Sequence, residues 1–146
     1  MLLGIDLGTS SVKVAVVAED GAVQESASAG YAIDSPQAGW AETDPVAWWE
    51  ATRKAVGSLG AARLGAIEAV GVTGQMHGLV LTDREGWALR PAILWADERS
   101  GQEVDRYRRL DPDLLSRLAN PLATGMAGPT LLWLKANEPR LYLGAR

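Results

Sequence analysis

An acidic residue near the end of an apolar run, followed at once by a turn of small hydroxyl residues and a second apolar run, restricts this chain more than any other feature. Leu2-Leu3-Gly4-Ile5-Asp6-Leu7 is short and apolar, as a buried strand is. Gly8-Thr9-Ser10-Ser11 is a tight turn, and the β-branched run at 12–17 reads as a second strand. Asp20-Gly21 is a strong hairpin signal. It leads into a third, longer strand expected over 22–33, nearer an edge. The opening is therefore a three-stranded antiparallel meander.

Residues 35–40 form a loop. Asp44-Pro45 marks a helix start, with Asp44 as N-cap and Pro45 in the first helical position. Val46, Trp49, Thr52, Val56 and Leu59 follow at helical spacing, which predicts a buried stripe, and Gly60 closes the segment. Residues 66–73 are again strand-like. A helix separates them from the third strand, so they can pair with the first strand in parallel. Three antiparallel strands, a crossover helix and a parallel strand predict an α/β, ribonuclease-H-like fold. Beyond it, 79–82 and 87–89 flank Asp83-Arg84-Glu85-Gly86 as a hairpin. Ile93-Leu94-Trp95 is a short apolar run. Helices are expected over 100–110, from Asp111-Pro112 with Leu114, Leu115 and Leu118 on the buried side, and from near Pro129 with Leu131 to Leu134.

The length of 146 residues suits one domain. With 14 basic and 18 acidic residues the net charge is −4, so no broad nucleic-acid surface is expected, and Arg108-Arg109 reads as a solvated helix face. The absence of cysteine excludes disulfides, thiolate zinc sites and a thiol nucleophile, and suits a reducing compartment. No apolar run approaches the roughly 20 residues that span a bilayer. The start carries no basic segment, so no signal peptide is expected. A cytoplasmic protein without a membrane partner is the expectation.

Two constellations can carry chemistry. In the first, a phosphate chain needs backbone N–H groups pointing one way with little side-chain bulk between them. Gly8 permits close approach, and Thr9, Ser10 and Ser11 add hydroxyls. Asp6 at the strand end can hold a magnesium ion through water. Lys13 can offer a positive charge or point to solvent. The plain alternative is an ordinary hairpin turn. An acid inside an apolar strand weighs against that alternative, because burial without a partner is costly. In the second, Gly74-Gln75-Met76-His77-Gly78 follows a buried strand end, where ligand sites of α/β sheets form. His77 is the sole histidine. Trp95 and Asp97 form a second candidate wall, an indole face that can stack on a ligand and a carboxylate that can accept hydroxyl protons. The competing reading is a core tryptophan and a helix N-cap aspartate. Arg99 can pair with Asp97 or brace the loop. Helix spacing explains Trp49 as packing.

Residues 4–13 resemble the first phosphate-binding hairpin of the actin, Hsp70 and sugar kinase superfamily. Gly74 to Gly78 resembles the substrate loop of xylulokinases in the FGGY carbohydrate kinase family, and 43–49 and 90–99 resemble further stretches of that family. The resemblance implies that Met76 and His77 contact a sugar. It implies ATP and Mg²⁺ as cofactors, with Gly8, Thr9, Ser10, Ser11 and Lys13 at the phosphates and Asp6 at the metal. The implied reaction phosphorylates D-xylulose or a related ketopentose or polyol. The family's catalytic aspartate and ATP-binding domain have no counterpart before Arg146. Residues 1–146 are therefore expected to be the incomplete first domain of a two-domain kinase, inactive alone. The 66–73 strand is expected to lack its outer neighbour, which invites pairing with a second copy. A non-catalytic sugar-binding or regulatory module is the alternative. A chaperone-like ATPase fits less well, given the Met-His loop and Trp95-Ala96-Asp97. Residues 125–130 depart from the family, which often has lysine where Thr130 stands.

Overall fold

The computed structural model describes residues 1–119 and 121–146. In chain order its elements are β1 (Leu2–Leu7), β2 (Ser11–Val17), β3 (Val23–Gly30), β4 (Glu42–Thr43), α1 (Pro45–Gly57), α2 (Ala61–Leu64), β5 (Ala69–Gly74), β6 (Ala92–Ile93), α3 (Gly101–Arg108), α4 (Pro112–Leu118), α5 (Ala127–Asn137) and α6 (Pro139–Gly144). The chain divides into two compact units, Met1–Ala32 with Pro45–Gln75, and Ile33–Asp44 with Met76–Arg146.

The first unit is a four-stranded sheet of order β3-β2-β1-β5. β1 runs antiparallel to β2, from Leu2 opposite Val17 to Leu7 opposite Val12, and parallel to β5, from Leu2 beside Ala69 to Leu7 beside Gly74. The meander and the parallel fourth strand are those expected from the sequence. β3 is shorter than expected. It begins after a turn closed by the Ala18 amide on the Ala22 carbonyl at 2.9 Å, and past Gly30 the Tyr31 amide turns back to donate to the Ser10 carbonyl at 3.1 Å.

One face of this sheet is dry. Leu3, Val12, Val14, Val16 and Ala29 are buried there against Ala51 and Ala55 of α1 and against Leu59. Burying each valine side chain stabilises the unit by about 1.5–3 kcal/mol. The helix departs from the predicted stripe in its first turns. Val46 is 55% and Trp49 63% exposed. Thr52, Val56 and Leu59 of the expected stripe do face inward, and Ala51 and Ala55, with Trp48 half-buried, replace Val46 and Trp49 beside them. Alanine at the two central contact positions lets the helix lie close on a valine-rich surface. A tryptophan there would hold it off.

β5 is the sheet edge, and all six of its residues are exposed. It carries no proline, charge or bulge, the devices that usually blunt an edge.

The second unit has little regular sheet. β4 and β6 form a two-residue antiparallel ladder, and Leu79 bridges Ile93. The hairpin expected over 79–89 forms as a turn with one bridge, Thr82 to Ala88. The Asp83 carboxylate organises it by accepting the amides of Glu85 and Trp87. Leu81, Ile93 and Leu134 are its buried cluster, flanked by Leu79, Leu89, Trp133 and Leu141. Asp111 accepts the Asp113 amide at 2.8 Å and starts α4 as the Asp-Pro signal predicts. The expected buried side of α4 does not form: Leu114 and Leu118 are exposed. Leu118 lines an open recess instead of the core. On α5, Leu134 is buried while Leu131 is exposed.

The shifted stripe on α1 is testable by urea denaturation. Ala55→Leu overpacks a fully buried position and is expected to destabilise the chain by about 1–3 kcal/mol. Trp49→Ala is expected to change stability by less than about 0.5 kcal/mol. The reverse order would place Trp49 in the core.

Candidate functional site

Sheet register arranges the polar residues of the first unit. Ser28, Lys13, Asp6 and Thr73 are successive cross-strand partners, so they form one row on the face away from α1. The neighbouring row on that face, Ser26, Ala15, Gly4 and Gly71, is small. A polar row beside a low floor makes a groove of about 770 Å³ that Asp6, Lys13, Ser28 and Thr73 line. Asp6 is exposed in it. The sequence argument from a buried, unpartnered acid is therefore corrected: an apolar strand one face of which is solvated can carry an acid without that cost. Lys13, for which alternation left two readings, stands in the groove beside Asp6.

The turn at the end of β1 is more tightly tied than its composition suggests. The Gly8 amide donates to the Ser11 carbonyl at 3.0 Å, so it is spent inside the turn. A side chain at Gly8 would bring its first carbon 3.1 Å from that same carbonyl, which is why glycine fits here. Tyr31 holds the turn from β3: its amide donates to Ser10 and its hydroxyl to the Gly8 carbonyl. Sequence reasoning missed Tyr31. A tyrosine after an amphipathic strand carries no local signal of a bond made 23 residues back. Burial, and then the nearby negative charge of Asp6, hold its phenol above the usual tyrosine range.

In the second unit, His77 and Trp95 line one cavity of about 510 Å³, with Gly125 and Met126 on another wall. His77 also lines a recess of about 150 Å³ with Leu118 and Met126. Its backbone has φ of 64°, the left-handed region that side chains rarely adopt. Such strain is held where surrounding structure fixes it, and it clusters at ligand sites. Trp95 is 50% exposed. The two cavities leave out Met76, which is exposed, and Asp97, which is buried. Both Asp97 oxygens are occupied: Oδ2 accepts from the Ala41 amide and Arg99, and Oδ1 from the amide and Nε of Arg99. Neither reading offered by the sequence, hydroxyl acceptor or helix N-cap, describes that environment. Residues 125–130 join the site through Gly125, with φ of 76° and so close to Trp95 that a side chain would meet the Trp95 carbonyl at 1.9 Å.

As for a cation, Asp6 offers one exposed carboxylate over a groove. That suits Mg²⁺, which keeps several waters and takes one or two carboxylates plus phosphate oxygens. Among the described residues no group of three or more histidines and acids stands together as a metal cage.

A three-stranded meander joined by a crossover helix to a parallel fourth strand is the ribonuclease-H-like fold shared by actin, Hsp70 and the sugar kinases. Residues 1–146 match the N-terminal domain of the FGGY family of carbohydrate kinases, and the chain belongs to that family. The xylulose kinase of Escherichia coli K12 is 39% identical over 143 residues, covering 97% of this chain and 30% of that protein. Among solved structures, a "xyloylose kinase" from Brucella ovis superposes with a TM-score of 0.94 at 37% identity, covering 99% of this chain and 31% of its own. The xylulose kinase of Rhodospirillum rubrum gives 0.89 at 32% identity over 98% of this chain and 31% of its own. The chain thus spans about 30% of the length of the curated relatives it matches. Among the described residues no helix is long and apolar enough to cross a membrane.

The Tyr31 clamp has a pH signature. Its folded pKa is raised, so its contribution to stability is complete below the unfolded value of about 10 and is lost as pH rises through the folded value. Urea midpoints measured against pH are expected to fall above about pH 10, and Tyr31→Phe is expected to remove that component. An unchanged alkaline profile in the variant would detach Tyr31 from the turn.

Proposed function

We propose that this chain supplies the sugar site and part of the phosphate site of an ATP-dependent kinase acting on D-xylulose or a related ketopentose or polyol. The observation that carries the proposal is the cavity shared by His77 and Trp95 in a chain that belongs to the carbohydrate kinases. His77 hydrogen-bonds a sugar hydroxyl, and the half-exposed Trp95 face stacks on the C–H side of the ring. Met76, exposed one residue before His77, is an adaptable apolar flank. Gly8, Thr9, Ser10 and Ser11 cradle phosphate oxygens, with Lys13 adding charge and Asp6 holding Mg²⁺ through water. The ion, when bound, neutralises charge on the transferring group.

The reaction moves the γ-phosphoryl group of ATP to a sugar hydroxyl. The oxygen–phosphorus bond to the sugar forms, the bond to the departing ADP breaks, and the hydroxyl proton passes to a base. Asp97 is saturated by four donors, so it does not serve as that base. We assign the base to the part of the relatives' length that this chain does not span. We assign the activity to the cytoplasm, which the absence of cysteine suits. The partial span also favours a second reading for the 146 residues by themselves, sugar binding without turnover. The unblunted β5 edge supports pairing with a second copy.

Titration of the chain with D-xylulose, followed by an assay of ADP release with ATP, Mg²⁺ and xylulose, separates these readings. Binding without turnover is expected. Turnover by the chain alone would refute the placement of the base, and no binding would remove the sugar site. His77→Ala is expected to weaken xylulose binding about tenfold, the loss of roughly one hydrogen bond. Sedimentation is expected to show self-association that Val72→Lys reduces. A wild-type monomer at high concentration would rule out the pairing.

A further inference from the structure

We infer that Asp97, Arg99 and Glu42 form a charged brace that positions Trp95 in the sugar site without touching the sugar. The inference rests on the sugar-site reading of the His77–Trp95 cavity. It begins with the turn that presents the indole. The Asp97 amide donates to the Leu94 carbonyl at 3.1 Å, so Trp95 and Ala96 are the two central residues of a β-turn. That turn is stapled to residues 39–41 on both sides. The Leu94 amide donates to the Ala41 carbonyl at 3.0 Å, the Glu98 amide donates to Gly39 at 2.8 Å, and the Ala41 amide donates to Asp97 Oδ2 at 2.7 Å.

Asp97 is the last residue of the turn and is only 1% exposed. Its remaining lone pairs are filled by Arg99, through the amide at 2.9 Å and Nε at 2.8 Å to Oδ1 and through a terminal nitrogen at 2.8 Å to Oδ2. A carboxylate has about four acceptor sites, and all are used. The same arginine nitrogen lies 2.6 Å from Glu42 Oε1 in β4, and the Arg99 side chain is 1% exposed. Two indoles close the box: the guanidinium sits 3.7 Å from the Trp40 ring centroid and 5.0 Å from that of Trp133. A planar fork held by two carboxylates and two rings has one orientation. It fixes Asp97, and Asp97 fixes the turn whose tip is Trp95.

A thermodynamic cycle on xylulose affinity tests the brace, with urea unfolding as the check on folding. Arg99→Lys keeps the charge but loses the fork. It is expected to unfold cooperatively, to shift the Trp95 indole N–H resonance in the sugar-free chain, and to weaken xylulose binding about tenfold, the scale of one charged hydrogen bond. In a Trp95→Ala background the same substitution is expected to cost nothing further, because the brace acts through Trp95. Additive losses would mean that Arg99 or Asp97 serves the sugar independently of Trp95, and unchanged affinity in Arg99→Lys would mean that no brace operates. Either result overturns the inference. If Arg99→Lys does not fold, Glu42→Gln, nearly isosteric, takes its place in the cycle with the same expectations. Failure of the unsubstituted chain to bind xylulose would instead overturn the sugar-site reading beneath it.

Discussion

The first unit depends on one constraint: β1 is paired in opposite senses on its two edges, antiparallel to β2 and parallel to β5. The antiparallel partner needs only a tight turn. The parallel partner needs a crossover, and the chain supplies α1 and α2 for it. A crossover helix must lie on one face of the sheet, so α1 dries that face and the other stays open to water. The polar row of Ser28, Lys13, Asp6 and Thr73 follows from the same register. One slip of a residue on either edge of β1 would move Lys13 or Thr73 to the opposite face and leave Asp6 without that neighbour.

The second unit is held differently. Its ladders are two residues long or single bridges, too short to fix a shape by backbone pairing. A chain of charges runs instead from Glu138 through Arg90, Glu42 and Arg99 to Asp97. Buried ion pairs of this kind contribute little net stability, because desolvation offsets most of the attraction. Their geometry is nevertheless specific. A guanidinium shared between carboxylates and seated against Trp40, which meets Trp133 edge to face at 5.4 Å, leaves the surrounding loops few alternative arrangements. Desolvation raises the cost of Arg99's charge, and the hydrogen bonds of Asp97 and Glu42 outweigh it, so the pKa lies above the ordinary arginine value.

What could be read in advance follows the range of the interactions. The meander was legible because strand alternation and the Asp-Gly turn are local. So was the start of α4, where Asp111 caps within two residues. The face of α1 was legible only at Thr52, Val56 and Leu59, since Val46 and Trp49 outweigh Ala51 and Ala55 on any hydrophobicity count, and what selects the alanines is the shape of a sheet built from residues 3–29. Tyr31 was illegible as a positioning group because its partner lies 23 residues away; of the Asp97 partners, Arg99 two residues on was legible and the Ala41 amide 56 residues away was not. His77 and Trp95 stood out as candidates for a chemical reason: a histidine between a flexible loop residue and a glycine, and a tryptophan beside an acid, are expensive choices for loops unless they face something, and the structure brings both to one cavity.

Asp6 and Asp97 show what decides whether a carboxylate keeps lone pairs to offer. Each follows an apolar strand-like run, and each reads from sequence as a candidate for ligand chemistry. Around Asp97 the fold converges two backbone amides and an arginine fork, and the carboxylate has no lone pair left to offer. Around Asp6 it places a glycine floor, a lysine and solvent. The count of protein donors at a carboxylate, which depends on chain segments far apart in sequence, separates an acid committed to holding the fold from one left open to solvent.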